Sequence, residues 1–356
     1  MESKSLVSMM VVVLAVIAAC SSSNSSGAGA GGSGGFSRNT SESGGSTGSG
    51  GKGTTGSTSA SGGSTGGSNG QAGSTGTGGG RGGSGGANTG GSGGASAGGS
   101  GAVSSKGCGK TPTLQSKSTI NIKSAGLDRK YILWLPDNYD NKHPYRLVLT
   151  YHGNGGSAQG IAGSSFFGLL NVANNSAVFI AVDGVDASWA NTNDRDVILA
   201  DDILKQVEDD LCIDTSRVFA SGFSYGGEMT DIFACTRPEV FRAVALYAGD
   251  LGSNPSDKCN GKGAPIAYYA SHGTGDPWYA DGGAARDYFA KFNGCTLQTT
   301  PLPPSGGHLC TSFAGCSAGH PVRWCAFDGP HTEAPVDNGQ SESWNPKETW
   351  TFLSQF

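Results

Sequence analysis

The run GFSYG at 222–226 has the G-x-S-x-G spacing that is typical of a serine nucleophile held on a sharp turn. It follows a strand-like stretch at 218–221. Glycine has no Cβ, so Gly222 and Gly226 tolerate strained dihedral angles and close backbone contact. The motif predicts acyl transfer, with Ser224 as the attacking group.

A serine hydroxyl needs a histidine to remove its proton, and that histidine needs a carboxylate to orient it. In the fold that carries this turn, the chain order is serine, then the carboxylate, then histidine. His331 follows an apolar strand-like run in a loop with glycine and proline, and we predict it to be the base; a structural loop histidine is the alternative. The five other histidines fit less well by order or surroundings: His143, His152, His272, His308 and His320.

The predicted carboxylate is Asp276, which follows the strand-like run PIAYYASHG and lies in a loop. Asp250 and Asp281 are the nearest alternatives, and a turn-forming role before Pro277 is the other interpretation. About one strand and one helix separate successive members of the set 224, 276 and 331. That spacing fits three strand ends of one sheet.

The tetrahedral intermediate of acyl transfer carries an oxyanion, which fixed backbone N–H groups stabilise. Tyr225, the residue after the nucleophile, supplies one predicted donor. The loop YHGNGG at 151–156 supplies the second, through Asn154 or Gly153, unless it is a plain glycine turn.

Aromatic residues adjoin these loops, and we predict that Trp189 and Trp278 contact substrate; packing in the core or rim is the alternative. An acidic cluster could instead suggest calcium or paired glycosidase carboxylates. Much of it falls on one predicted helix, with Asp196 suited to the positive N-terminus and the others facing solvent. The cluster consists of Asp194, Asp196, Asp201, Asp202, Asp209 and Asp210.

Short apolar runs alternate with helical patterns along the second part of the chain. A helix is predicted at 195–211 from apolar residues at 199, 203, 207 and 211, and another over 346–356. Such alternation indicates a mostly parallel central sheet with helices on both faces. Together with the G-x-S-x-G turn at 222–226, it predicts the α/β-hydrolase fold. The remaining predicted strands lie at 129–139, 145–153, 176–184, 241–249, 264–273 and 320–329.

Composition divides the chain into three parts. Residues 1–20 contain Lys4 and an apolar run that ends at Cys20, which resembles a lipoprotein signal with lipidation at Cys20; an ordinary secretory signal is the alternative. Residues 21–106 are nearly all small or polar, so they predict a flexible tether. Residues 107–356 form the predicted enzyme domain, whose 18 basic and 26 acidic side chains disfavour nucleic acid and anionic membranes as partners.

Eight cysteines remain after Cys20, an even number without a C-x-x-C pair, so four disulfides are expected in an exported protein. The runs around Cys310 and Cys325 are strand-like and joined by small residues. In an antiparallel hairpin turning near 317–318, positions 310 and 325 face each other at the spacing a disulfide requires. Pairing of Cys316 with either one is the competing arrangement.

With these residues in view, the sequence resembles the secreted feruloyl esterases, which are related to acetylxylan esterases and similar to extracellular polyhydroxybutyrate depolymerases. The likeness spans nearly all of 108–356 and departs from the family in the smaller HGNGG loop and in the two cysteines at 310 and 325. The matching segments are CGKTPTL, RKYILWLPDNYDNKHPYRLVLTYH, WANTNDRDVILADDILKQVEDDLCID, RVFASGFSYGGEM, FRAVALYAGD and VRWCAFDGPHTEAP.

This resemblance implies an extracellular or cell-surface serine esterase that cleaves feruloyl esters of plant cell-wall polysaccharide, or small aromatic esters. It supports Ser224, Asp276 and His331 as the triad. The alternatives are a polyester depolymerase or acetylxylan esterase with the same triad, or a non-catalytic binding protein on this fold. We expect a monomer without cofactor or metal, attached to a membrane only through lipid at Cys20.

Overall fold

A nine-stranded sheet runs through residues 102–356, the part of the chain that the computed structural model describes. The predicted signal segment, Cys20 and nearly all of the predicted tether lie outside the described residues. The strands are β1 (Ser118–Ser124), β2 (Leu127–Trp134), β3 (Tyr145–Tyr151), β4 (Ala177–Val182), β5 (Ile213–Phe223), β6 (Ala243–Tyr247), β7 (Ala267–Gly273), β8 (His308–Ser312) and β9 (Val322–Phe327).

The strand order is β1-β2-β4-β3-β5-β6-β7-β9-β8. The pairs from β4 to β9 are parallel, whereas β1, β2 and β8 join antiparallel at the two sides. Central strands such as β4 and β6 are buried along their whole length. Their continuous apolar runs therefore suit a parallel sheet that is covered on both faces.

Helices cover the two faces of this sheet. Helices α3, α4 and α6 pack on one core cluster, and α1, α2 and α7 pack on the other. The predicted mostly parallel sheet with helices on both faces is confirmed. The helices are α1 (Ala158–Gly163), α2 (Leu169–Ala173), α3 (Arg195–Asp210), α4 (Tyr225–Thr236), α5 (Pro255–Lys258), α6 (Tyr279–Phe292) and α7 (Asn345–Leu353), with a 3-10 turn at Thr192–Asp194.

Asp196 lies in the first turn of α3, as predicted, and it is also paired inside the protein. Asp196 is fully buried, and Arg129 Nη2 lies 2.8 Å from its Oδ1 while the Asn191 N–H donates to its other oxygen. Farther along the helix, Asp201 pairs with Arg237. A buried carboxylate requires such partners, so Asp196 also joins α3 to β2.

The folded part begins before the predicted boundary at 107. The Ser105 hydroxyl donates to the Leu211 carbonyl at 2.6 Å and accepts from the Ile213 N–H at 2.9 Å. Ser104 forms an antiparallel bridge with Asp214. The end of the segment predicted as tether is therefore held against the start of β5.

Four disulfides join the eight cysteines of the described chain, as the even count predicted. The predicted bond between Cys310 and Cys325 is confirmed: the two residues face each other in the β8–β9 ladder, with Cα atoms 3.9 Å apart. The competing pairing through Cys316 is wrong, because Cys316 bonds Cys295. The other two bonds are Cys108–Cys212 and Cys235–Cys259.

Within residues 102–356, none of the helices combines the length and the apolar character needed to cross a membrane.

Candidate active site

Ser224 occupies a strained turn between the end of β5 and the start of α4. Its φ of 55° and ψ of −121° are unfavourable for a residue with a side chain. A Cβ on Gly222 would lie 2.1 Å from the Gly226 carbonyl oxygen, and one on Gly226 would lie 2.2 Å from that of Tyr151. Both glycines are therefore required by close backbone contacts, and the turn presents Ser224 at the carboxyl edge of the sheet.

His331 and Asp276 are in direct contact. His331 Nδ1 lies 2.7 Å from Asp276 Oδ2, and the Trp278 N–H donates to Oδ1 at 3.0 Å. The Asp276 side chain is fully buried, whereas a quarter of the His331 side chain is exposed. If Nδ1 carries the proton that it shares with the carboxylate, Nε2 of His331 is left free to accept a proton. Neither Asp250 nor Asp281 bonds His331.

Ser224 is linked to this pair by Phe223, the residue before it in the chain. The ring of Phe223 lies 4.9 Å from the ring of His331, centroid to centroid. Among the described residues, no hydrogen bond joins the Ser224 hydroxyl to His331. Such bonds are commonly long in unliganded enzymes and shorten when substrate binds. The three residues follow strands β5, β7 and β9, whose carboxyl ends lie on one edge.

The loop 153–156 lies next to Ser224. A Cβ built on Gly153 would be 3.4 Å from the Cβ of Ser224. The Gly156 N–H donates to the Gly153 carbonyl at 3.0 Å, so Asn154 and Gly155 form the tip of a turn, and Asn154 is exposed. Tyr225 is the first residue of α4, where an N–H has no acceptor within the helix.

His152 anchors this loop, a role that sequence reasoning missed. The Gly184 N–H donates to His152 Nε2 at 3.0 Å, so Nε2 is unprotonated and Nδ1–H donates to the Gly153 carbonyl at 2.8 Å. Burial lowers the pKa of His152, which favours this neutral form. Its position directly before the glycine loop is the signal for this role, whereas chain order, with His152 before Ser224, speaks only against its being the base.

The two predicted substrate tryptophans have different surroundings. Trp189 is 1% exposed, and its indole N–H donates to the His152 carbonyl at 2.7 Å. The prediction that Trp189 contacts substrate is corrected: it packs beneath the loop and supports it. Trp278 is 48% exposed, and its ring lies 5.2 Å from that of His331, so it is available at the surface beside the candidate base.

A second histidine lies behind the carboxylate. His272 Nε2 is 3.7 Å from Asp276 Oδ2, and only 1% of the His272 side chain is exposed. It precedes Asp276 in the chain and is shielded from solvent, so it does not occupy the position of a base that meets substrate.

The described residues contain one group with ligand atoms close enough to hold a metal ion: Cys310, Cys325 and Glu348. The two sulfur atoms are bonded to each other, and Glu348 pairs with Arg323, so this group offers no thiolate ligands.

The chain is similar in sequence to two named feruloyl esterases. The chain is 39% identical over 261 residues to feruloyl esterase D of Neurospora crassa, covering 69% of this chain and 89% of that one. It is 42% identical over 233 residues to feruloyl esterase C of Emericella nidulans, covering 63% and 83%. No family model matches the sequence.

Among solved structures, an acetyl xylan esterase from Aspergillus awamori aligns with a TM-score of 0.50 and 15% identity, over 67% of this chain and 99% of that chain. At this identity the match shows a shared fold alone. Together with the sheet order, it confirms the α/β-hydrolase fold.

Proposed function

We propose, since the chain belongs to the feruloyl esterase family, that it hydrolyses feruloyl and related hydroxycinnamoyl esters of plant cell-wall polysaccharide through an acyl-enzyme. The chain is accordingly a carboxylic ester hydrolase. The observation that carries the proposal is the strained Ser224 turn beside a histidine that is hydrogen-bonded to a buried carboxylate.

In the proposed mechanism, Ser224 Oγ attacks the ester carbonyl while His331 Nε2 takes its proton. Asp276 holds the imidazole ring and stabilises its protonated form. The N–H groups of Tyr225 and Asn154 stabilise the oxyanion. His331 then gives the proton to the departing sugar oxygen, and a water molecule, activated by the same histidine, releases the acid.

Trp278 is the proposed contact for the aromatic acyl group. Its exposed ring stands beside His331, the proposed base, where an aromatic acyl group can contact it. Aromatic rings in offset or edge contact gain about 0.5–1.5 kcal/mol beyond the area they bury. This contact favours a hydroxycinnamoyl group over an acetyl group.

Ser224→Ala tests the nucleophile. We expect a folded protein whose kcat on methyl ferulate is lower by about 10⁴ or more. A variant that keeps a tenth of the wild-type turnover would contradict the assignment. Parallel assays with methyl ferulate, p-nitrophenyl acetate and polyhydroxybutyrate separate the feruloyl esterase from an acetyl esterase or a polyester depolymerase.

We also propose that residues 1–20 are an export signal with lipidation at Cys20, that 21–101 act as a tether, and that the enzyme works as a monomer outside the cell or at its surface. The four disulfides of the described chain are typical of an extracytoplasmic protein. Metabolic labelling with a fatty-acid analogue should mark the wild type and not Cys20→Ser. Equal labelling of the two proteins would rule out lipidation at this residue.

A further inference from the structure

His272 has a position that the proposed mechanism does not use. Its ring lies behind Asp276, with Nε2 3.7 Å from the same Oδ2 atom that His331 contacts at 2.7 Å. One oxygen of the buried carboxylate thus has two histidines near it. Only His331 is partly exposed, so His272 cannot meet substrate.

The ring of His272 is held firmly. It lies 6.0 Å from the ring of Tyr279 and 5.8 Å from that of Trp324, centroid to centroid. A Cβ on Gly282 of α6 would come within 3.1 Å of the imidazole ring. Rotation away from Asp276 is therefore restricted by two aromatic rings and by the helix.

Burial lowers the pKa of His272 to about 4, which outweighs the attraction of Asp276, while His331 lowers it further. The ring is therefore neutral at neutral pH and carries one N–H. Other titratable side chains on the elements around it are Tyr279, Asp281 and Arg286 on α6 and Asp250 after β6.

Neither ring nitrogen of His272 makes a hydrogen bond of normal geometry, although the Ala248 backbone lies close enough to the ring to raise its pKa. The Nε2–H tautomer directs its proton to the carboxylate, whereas the Nδ1–H tautomer would direct a lone pair to it and repel the charge. The Ala248 carbonyl is the competing acceptor near the ring. A buried carboxylate gains from each added donor, so the first tautomer is favoured.

We propose that His272 is a positioning residue for the esterase reaction: its Nε2–H donates to Asp276 Oδ2, the same oxygen that His331 Nδ1 contacts. A movement of less than about 1 Å brings the two atoms to hydrogen-bond distance. The N–H groups of His272 and His331 then both stabilise the negative charge of Asp276. Two donors also hold the carboxylate in a fixed plane. This inference rests on the proposed function of Asp276 as the partner of the base.

Kinetics of His272→Phe and His272→Gln test the donor. Phenylalanine fills the space but has no N–H. The full negative charge of Asp276 then acts on His331 and favours its protonated form. We expect the acid limb of kcat/KM to move upward by roughly 0.5–1 pH unit, and kcat to fall about 10-fold with KM unchanged. Glutamine keeps an N–H near Nε2 and should restore most of both values.

Tyr279→Phe is the matched control, because it removes a hydroxyl from the same aromatic enclosure and leaves His272 in place. A pH profile and kcat of His272→Phe equal to those of Tyr279→Phe would overturn the proposal. So would a glutamine variant that behaves like the phenylalanine variant.

Nitrogen NMR of the wild-type protein labelled with ¹⁵N-histidine gives a test that needs no folded variant. The resonance of His272 is identified by its loss in His272→Gln or, if that variant does not fold, by its retention of the neutral form to the lowest pH. We expect a proton on Nε2 at pH 7; a proton on Nδ1 overturns the proposal. Inactivity of the wild type towards esters would defeat the proposed function and leave this tautomer unchanged.

Discussion

His331 Nδ1 lies 2.7 Å from Asp276 Oδ2, although 55 residues separate them in the chain. Strands β7 and β9 are parallel neighbours, so the loops that follow them meet at the same edge of the sheet. Asp276 is buried, and Phe223, the residue before Ser224, packs against the His331 ring, so the pair lies near Ser224.

Asp276→Asn should lower kcat by about 10⁴, with little change in KM, because the amide favours the wrong tautomer of His331 and cannot balance its charge. Steady-state kinetics on methyl ferulate measure the effect. Asp281→Asn is the control, since Asp281 lies on α6 and does not bond His331. Similar losses in the two variants would contradict the assignment of Asp276.

The free energy of unfolding should fall as the pH drops from about 6.5 towards 4. Burial lowers the pKa of His272 to about 4 in the folded state, so the unfolded chain takes up the proton first, which favours unfolding throughout this window. The full contribution is ~3 kcal/mol.

Urea unfolding of the wild type, His272→Gln and His143→Gln between pH 4 and 7 measures this dependence. In the His272 variant the free energy of unfolding should depend less on pH. Substitution of the exposed His143 should leave the pH dependence as it is in the wild type. Three parallel curves would exclude His272 as a source of acid sensitivity.

Replacement of both Cys310 and Cys325 by alanine should destabilise the protein by about 3 kcal/mol, the chain-entropy value for a 15-residue loop. KM for methyl ferulate should change little, because the bond braces β8 and β9 rather than the substrate surface. Thermal unfolding and kinetics of the double variant measure both effects. A larger change in KM than in stability would contradict this role.

Trp278→Ala should raise KM for methyl ferulate by roughly 3–10-fold, the loss of one aromatic contact, and leave KM for p-nitrophenyl acetate nearly unchanged. Trp189→Phe serves as the comparison. It removes the N–H that supports the His152 carbonyl, so it should lower kcat for the two esters alike. Equal effects of Trp278→Ala on both esters would argue against an acyl contact.

Gly282→Ala should lower kcat several-fold, because the added Cβ comes within 3.1 Å of the His272 ring and displaces it. Gly283→Ala is the control one position along α6, where the nearest atom is 3.7 Å away. Alanine also raises helix stability by about 1 kcal/mol, so the control should be at least as stable as the wild type. Equal activity of both variants would show that the ring tolerates the contact.

Local sequence patterns were sufficient to identify the candidate site residues and one disulfide. The turn at 222–226 has few solutions that avoid backbone clashes, so its glycines predicted the position of Ser224. His331 and Asp276 followed from chain order and from strand ends, because parallel strands bring their carboxyl ends to one edge. The Cys310–Cys325 bond followed from the constant index sum of a hairpin, which is a property of local pairing.

Other features depended on packing between distant segments. Strand β1 alternates between half-exposed and exposed residues, and α6 contains adjacent glycines that weaken a helical pattern, so neither was predicted. Trp189 and Trp278 adjoin similar loops, yet one is 1% and the other 48% exposed.

The place of His272 behind Asp276 arises where β7, β9 and α6 meet, and no spacing in the sequence encodes that distance. A side chain is buried when other elements of the fold cover it. Residue type and sequence neighbours therefore identified these residues as candidates but could not assign their roles.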